Sequence, residues 1–146
     1  LLHSAGIADA KLFVIAIDGK DQITELARYL HHQYPDLKVV ARAVDWTHVY
    51  DLWNAGCRDI IRENYDSALR MGRSSLEHLG ADRTQADATV TVFDEMDRKG
   101  MIEIASHYDP AVSMAENEAL IAKFNEMRVG WEIDLKVKME AVLAAE

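Results

Sequence analysis

LKVVARAVDWTHVYDLWNAGCRDIIRE, residues 37–63, is the stretch that decides the fold of this chain. Its valine-rich start and its isoleucine-containing end predict two strands, and the residues between them predict a helix. Asp45 is placed to cap the start of that helix, and Gly56 is placed to end it. Because two parallel strands of one sheet need a connection long enough to hold a helix, the stretch predicts a parallel β-α-β unit.

The same alternation of strand and helix extends towards the amino terminus. Residues 11–17 form a continuous apolar run bounded by turn residues, which is typical of a strand covered on both faces. A helix predicted over residues 21–32 leads from this run into the stretch above. The order β-α-β-α-β predicts an α/β fold with half of a doubly wound, Rossmann-like parallel sheet. Residues 1–6 read as the last turn of a helix, so we expect the chain to cover the second half of a larger α/β unit.

Helices alone follow the predicted sheet. Apolar stripes predict three long helices, over about residues 64–80, 82–107 and 110–145. We therefore divide the chain into an α/β part, residues 1–63, and a helical extension, residues 64–146. Because three strands form only a small sheet beside such long helices, we expect a second copy of the chain to cover the remaining apolar area.

Composition excludes several classes of function. A formal net charge of −9 at pH 7 argues against nucleic-acid binding, which relies on clustered lysine and arginine. The six histidines are scattered, without cysteine or carboxylate at metal-ligand spacing, so we predict no metal site. The one cysteine, Cys57, excludes an internal disulfide, and its place before a strand favours a buried inert thiol over a redox role. No nucleophile–base pair or glycine-rich phosphate loop occurs in the sequence, so we predict no catalysis.

The carboxyl edge of the predicted sheet collects the residues best suited to bind an anionic ligand. Open parallel α/β sheets bind ligands at that edge, and we expect both later strands to finish there on an arginine, Arg42 and Arg62. Arg62 also precedes a helix start, which favours a bound carboxylate or phosphate, although it can instead pair with Glu63 or with the next helix. Arg42 can contact a phosphate or pair with Asp45. Asp18 ends the first strand, where it can bind a ribose or a base, but capping of the following helix is the preferred interpretation.

Asp97 is a further candidate for ligand binding. It fills a gap in the apolar stripe of the second long helix, so a carboxylate lies on a face that should be buried. A buried carboxylate needs a partner, and Arg62 is one option. The alternative is a solvated charge near a helix kink at Lys99-Gly100.

Several short motifs follow one another in a recognisable order. They are Leu1-Leu2-x-x-Ala5-Gly6, Val14-Ile15-Ala16-Ile17-Asp18, Val40-Ala41-Arg42-Ala43-x-Asp45-x-x-His48, Arg62-Glu63, Ser67-Ala68-Leu69-x-x-Gly72-Arg73 and Leu76-x-x-Leu79-Gly80. Together they resemble the second half of the potassium-transport nucleotide-binding domain (the KTN or RCK fold), and more specifically the Kef-type glutathione-gated potassium efflux systems. The resemblance runs from residue 1 to about residue 103, and only the helical character continues beyond it.

The resemblance implies a non-catalytic regulatory domain on the cytoplasmic face of the inner (plasma) membrane, carried on the same polypeptide as a potassium/proton antiporter. In the family, this domain forms a homodimer, binds a nucleotide in its Rossmann half and binds glutathione at the dimer interface. Glutathione keeps the transporter shut, its electrophile adducts open it, and a flavoprotein quinone reductase is an ancillary subunit of some members. We expect AMP or NAD(H) at Asp18 and Arg42 in the complete domain, and no firmly bound cofactor in these 146 residues.

The family's glutathione site falls on two residues of this chain. Its arginine corresponds to Arg62, and its asparagine corresponds to Asp97. Asp97 is a departure, because an ionised aspartate accepts hydrogen bonds but cannot donate them. Two alternatives to the Kef-type domain are an NAD-sensing regulatory domain of a potassium uptake system and half of a Rossmann oxidoreductase.

Overall fold

A computed structural model describes residues 2, 4 and 6–145. A short 3-10 helix (Ile7–Asp9) precedes three parallel strands that alternate with two helices: β1 (Leu12–Ile15), α1 (Lys20–Gln33), β2 (Lys38–Ala43), α2 (Trp46–Asn54) and β3 (Asp59–Arg62). The strands lie side by side in chain order, with β2 in the centre. The predicted α/β fold with a β-α-β-α-β order is confirmed. Residues 1, 3 and 5 of the helical turn predicted over residues 1–6 lie outside the described part of the chain.

Three helices follow the sheet: α3 (Tyr65–His78), α4 (Arg83–Ala105) and α5 (Glu118–Ala144). The chain divides into two compact units, Leu1–Glu63 and Asn64–Glu146. The predicted start of α5 near residue 110 is wrong. The helix begins only after Asn117, whose side chain accepts a hydrogen bond from the Leu120 amide at 3.0 Å and so caps it.

One face of the sheet carries the core of the first unit. Ile15, Ala41 and Ala43 point towards α1 and α2 and are fully buried with residues of these helices, among them Ile23, Leu30 and Leu52. Successive side chains of a strand point to opposite faces, so the residues between them lie on the other face. There Leu12, Val14 and Ile61 are about half exposed. The sheet thus carries apolar side chains on both faces, but within this unit only the face that packs against α1 and α2 is buried.

The second unit is built around α4, which packs against both α3 and α5. Trp131 of α5 makes an edge contact with Phe93, with ring centroids 5.7 Å apart, and its indole Nε1 donates to the Met96 carbonyl at 3.3 Å. The buried residues of α4 are Ala86, Thr89, Met96 and Ile104. The helix starts with a complete capping box between Asp82 and Gln85.

Candidate functional site

Arg42 joins the ends of all three strands at the carboxyl edge of the sheet. Its Nη2 donates to the Ile17 carbonyl at 2.9 Å and to Asp18 Oδ1 at 2.8 Å, and its Nη1 lies 3.4 Å from Glu63 Oε1. Ile17 and Asp18 follow β1, and Glu63 follows β3. The alternative pairing of Arg42 with Asp45 is therefore wrong, because the guanidinium already lies between two other carboxylates.

Asp18 does not cap α1, so that interpretation is also wrong. The N-cap is Gly19, at φ 95° and ψ 105°, and the N-cap position makes no side-chain capping bond. Glycine occupies this left-handed backbone conformation at little cost, and the Asp18 side chain turns towards Arg42 instead. The Asp18 carboxylate is otherwise fully exposed, so it keeps acceptor sites for the hydroxyl groups of a ligand.

Arg62 and Arg42 lie at the same edge but on opposite faces of the sheet. In the parallel register, Arg42 stands beside Ile61, and Arg62 stands beside Ala43. Ala43 is buried on the helix-covered face, whereas Ile61 is half exposed on the open face. The prediction that both strands finish on an arginine holds for β3 only, since β2 continues to Ala43. An anion at this edge would therefore meet the two guanidinium groups from different sides.

A second polar cluster at the edge was missed by the sequence reasoning. Lys20, the first residue of α1, donates from Nζ to Thr47 Oγ1 at 2.7 Å and lies 3.4 Å from both Asp45 and Asp51. The sequence signal that could have indicated Lys20 is its position directly after the turn that follows β1. Asp45 caps α2 as predicted, because its Oδ1 accepts the His48 amide at 2.8 Å. Burial alone would raise the pKa of Asp45, but the bonds from Thr47 and the His48 amide, together with Lys20, outweigh burial and lower it.

His48 is fully buried beneath this cluster. Its Nδ1 accepts the Val44 amide at 3.1 Å, and its Nε2 lies 3.0 Å from Thr24 Oγ1. Burial lowers the pKa of the imidazole, and Lys20 lowers it further, against the opposing effects of Asp51 and Asp45. The sequence offered only its spacing from Asp45 as a signal.

Cys57 is buried, as predicted for an inert thiol. Its Sγ lies 3.4 Å from the Asp59 carbonyl and 3.6 Å from the Val39 carbonyl. Burial raises the pKa of the thiol, which keeps it protonated and weakly nucleophilic at neutral pH. Within residues 2, 4 and 6–145, no group of three or more metal-ligating side chains comes together.

In the second unit, Asp97 is half-buried on α4. The helix runs without interruption through Gly100, where an added Cβ would meet Met127 at 3.3 Å. A separate groove of about 350 Å³ lies between α3 and α4, with Leu69 and Val90 among its lining residues. The ion pair of Arg73 and Asp87, 3.0 Å long, joins its two walls. None of the sequence-predicted ligand residues lines this groove.

Comparison with known proteins identifies the family of the chain. The family described as "Potassium efflux system KefB C-terminal domain" matches residues 67–141. The chain belongs to the KefB C-terminal domain family. The TrkA-N domain family matches residues 1–63, so the two matches together cover nearly all of this KefB C-terminal domain protein. The first of the two descriptions names a potassium efflux system.

The individual proteins to which the chain is similar are also Kef proteins. The chain is 34% identical over 115 residues to the glutathione-regulated potassium-efflux system protein KefC of Salmonella arizonae, and 33% identical over 115 residues to that of Salmonella paratyphi B. Each match covers 79% of this chain but only 18% of the relative. A solved structure, the Kef CTD of Shewanella denitrificans in AMP-bound form, is similar with a TM-score of 0.71 and 38% sequence identity. It covers 74% of this chain, which covers 68% of it.

Among the residues that the structure describes, none of the helices combines the length and the hydrophobicity that crossing a bilayer requires.

Proposed function

We propose that this chain is the ligand-sensing regulatory domain of a Kef-like potassium/proton antiporter and that it controls potassium efflux without catalysing a reaction. The arginine-bridged carboxyl edge of the sheet, in a chain of the KefB C-terminal domain family, carries the proposal. Its mechanism is differential binding: a ligand that prefers one arrangement of the domain shifts the equilibrium that the transporter experiences.

The nucleotide is expected at the open side of this edge. Asp18 offers exposed carboxylate oxygens to ribose hydroxyls, and Arg42 holds Asp18 in place while it remains close to any phosphate that binds there. The relative from Shewanella denitrificans is AMP-bound, which makes AMP the first nucleotide to test, with NAD(H) the second. We expect binding to these 146 residues alone to be weak and binding to the complete domain to be firm.

The acidic effector is expected at Arg62 and Asp97. The Salmonella relatives are named as glutathione-regulated, and glutathione is an anion that a guanidinium can bind through two parallel hydrogen bonds. Asp97 opposes such a ligand, because two unit charges about 4 Å apart repel by about 4 kcal/mol at an effective dielectric constant of about 20. We therefore propose that glutathione or its adducts bind when Asp97 is neutralised, by a proton or by an arginine. We also propose that Asp97, standing where the family has an asparagine, weakens the response to glutathione.

Calorimetric titration with glutathione and with an S-alkylated glutathione tests the effector. We expect Asp97→Asn to tighten binding by about tenfold or more, because it removes a repelling charge and restores a donor. Arg62→Gln should weaken binding by about tenfold or more. Arg58→Gln is the matched control, because Arg58 precedes β3 at the opposite edge and stacks on Trp53. Absence of binding by both the native chain and Asp97→Asn would remove glutathione from the proposal, and an AMP titration would then decide the nucleotide part separately.

The partners of the chain are also proposals. We expect an identical subunit as dimer partner, since the open sheet face leaves apolar residues such as Leu12 and Val14 half exposed. We further expect the transporter domain of the same polypeptide at the cytoplasmic face of the membrane and, in some settings, a flavoprotein quinone reductase. Sedimentation at micromolar concentration tests the dimer, and a monodisperse monomer would contradict it.

A further inference from the structure

The peptide group between Ala43 and Val44 is held from both sides. Its carbonyl oxygen, on Ala43, accepts the Glu63 amide at 3.0 Å, and its N–H, on Val44, donates to His48 Nδ1 at 3.1 Å. Because a peptide group is planar and rigid, any rotation of it changes both hydrogen bonds together. The side chain of His48 is thereby linked to the end of β3, where Arg62 is the neighbour of Glu63.

The hydrogen bonds around His48 fix its neutral form. Nδ1 accepts from Val44, so the proton of the neutral ring is assigned to Nε2. Nε2 then donates to Thr24 Oγ1 at 3.0 Å, and that hydroxyl donates onward to the Lys20 carbonyl at 3.1 Å. A protonated ring would carry a proton on both nitrogens. It could no longer accept from Val44, and two donors would face each other inside a fully buried site.

Charged side chains of α1, of α2 and of the loop before α2 influence the His48 ring. Lys20 faces it from α1, Asp51 from α2 itself and Asp45 from the loop that precedes α2. Burial, followed by Lys20, holds the pKa of the imidazole below its ordinary value of 6.5, and the two aspartates oppose this effect. Protonation of His48 therefore requires a lower pH than protonation of a free imidazole, and it breaks the hydrogen-bond arrangement described above.

We propose that His48 is a positioning residue that orients the Ala43–Val44 peptide group and, through it, the end of β3 at Arg62 and Glu63, so that protonation of His48 loosens the ligand edge. The rearrangement is a property of the first unit by itself. Its effect on affinity rests on the proposed function, since that function places an anionic ligand at Arg62. The edge then responds to pH as well as to its ligand.

Two-dimensional NMR of the ¹⁵N-labelled chain, titrated from about pH 8 down to the lowest pH at which the chain stays folded, tests the rearrangement without any ligand. We expect the amides of Val44 and Glu63 to shift together, with the midpoint of the His48 ring. His48→Gln should abolish that transition, because glutamine can accept from Val44 but does not titrate in this range. His32→Gln, an exposed change on α1, is the matched control and should leave the transition intact.

Two further variants test the same coupling if His48→Gln does not fold. Lys20→Met should move the midpoint to higher pH, and Asp51→Asn should move it to lower pH, because these side chains oppose and favour the charged ring, respectively. A merely structural histidine would not transmit these movements of the midpoint to the Glu63 amide. The proposal is overturned if Val44 and Glu63 do not follow the His48 titration, or if the chain unfolds as a whole over the same range.

The effect on ligand binding is measured separately. We measure glutathione affinity in the Asp97→Asn background, where protonation of Asp97 no longer contributes. There we expect the affinity to fall about threefold to tenfold as the pH falls through the His48 midpoint, as for the loss of one or two hydrogen bonds at the site, and to become independent of that midpoint when His48→Gln is added. If no ligand binds at any pH, the proposed function fails, whereas the coupled amide shifts of the free chain still decide the role of His48. A coupled shift with unchanged affinity would overturn its link to the ligand edge.

Discussion

Arg42 Nη2 lies 2.8 Å from Asp18 Oδ1, and this contact ties the end of β2 to the end of β1. The same nitrogen bonds the Ile17 carbonyl, and the other terminal nitrogen faces Glu63 beyond β3. Arg42 thus has a structural role at the edge where a ligand is expected. A bound anion would have to share the Arg42 guanidinium with two carboxylates. Asp18 is more accessible to a ligand than Arg42, because its side chain is fully exposed.

Loss of Arg42 should destabilise the first unit more than loss of the Asp18 charge. We expect Arg42→Met to lower the free energy of unfolding by about 1–2 kcal/mol, because a carbonyl and two carboxylates lose their donor. Asp18→Asn should cost no more than about 0.5 kcal/mol, because the side chain is exposed and its ion pair is screened by water. Urea unfolding of both variants measures the difference. Equal losses would show that the strand ends are not held through Arg42.

The capping hydrogen bond of Asp45 should contribute more to stability than its ion pair with Lys20 does. Asp45→Ala removes the acceptor for the His48 amide and should lower the free energy of unfolding by about 1 kcal/mol. Asp45→Asn is the matched control, since asparagine caps almost as well but cannot pair with Lys20. We expect chemical denaturation to show most of the loss for alanine and little for asparagine. An equally large loss with asparagine would assign the effect to the ion pair.

The stability of the first unit should fall as the pH falls. The folded-state pKa of His48 is lowered, so the unfolded chain binds the proton first, and the stabilising contribution of neutral His48 is complete above about pH 6.5 and is lost below it. Asp45, whose pKa is also lowered, adds a second loss in the same direction below its ordinary value of 3.8. Unfolding free energies measured between about pH 5 and 8 isolate the histidine. The slope should vanish in His48→Gln, and a slope of the opposite sign would contradict the assigned tautomer.

Two glycines should respond to alanine in opposite ways. Gly56 has φ 95°, and an added Cβ would overlap the ring of His31, so Gly56→Ala should cost about 2–4 kcal/mol. Gly130 lies within α5 with no heavy atom near an added Cβ, so Gly130→Ala should stabilise the second unit by up to about 1 kcal/mol. Thermal unfolding of the two variants gives both signs. A neutral Gly56→Ala would show that His31 moves away without cost.

The thiol of Cys57 should react slowly in the folded chain. It is buried and its pKa is raised, so we expect maleimide to modify it at least about a hundredfold more slowly than the same thiol in denaturant. Mass spectrometry over a time course measures both rates. Rapid modification of the native chain would indicate that β3 opens readily, since Sγ lies against the Asp59 carbonyl at the start of that strand.

The sequence predicted the elements of the first unit well because their signals are local. The valine- and alanine-rich strand β2, the cap at Asp45 and the stop at Gly56 each depend on a few neighbouring residues, and helix α2 begins after Asp45 and ends before Gly56, as predicted. The start of α5 was predicted about eight residues too early, because the apolar pattern does not show that the chain first makes turns and that Asn117 then provides the cap.

The candidate site was predicted less completely, for a different physical reason. Sequence placed Asp18, Arg42 and Arg62 at one edge, but the choice of partner depends on distances between residues far apart in the chain. Asp18 was expected to cap a helix and instead bonds Arg42, which is 24 residues away. Lys20 and His48 were missed because neither residue type is unusual at its position, and their importance follows only from the bonds that they make.

The sequence by itself determined the α/β order, the parallel sheet and the family, since hydrophobic periodicity, caps and motif spacing are properties of neighbouring residues. Only the tertiary structure decided that Arg42 and Arg62 leave opposite faces of the sheet, that Arg42 lies between two carboxylates, and that His48 supports the Ala43–Val44 peptide group. These relationships depend on strand register and on hydrogen-bond geometry. A register shift by one residue reverses the face of every side chain in a strand, and the sequence pattern alone does not fix that register.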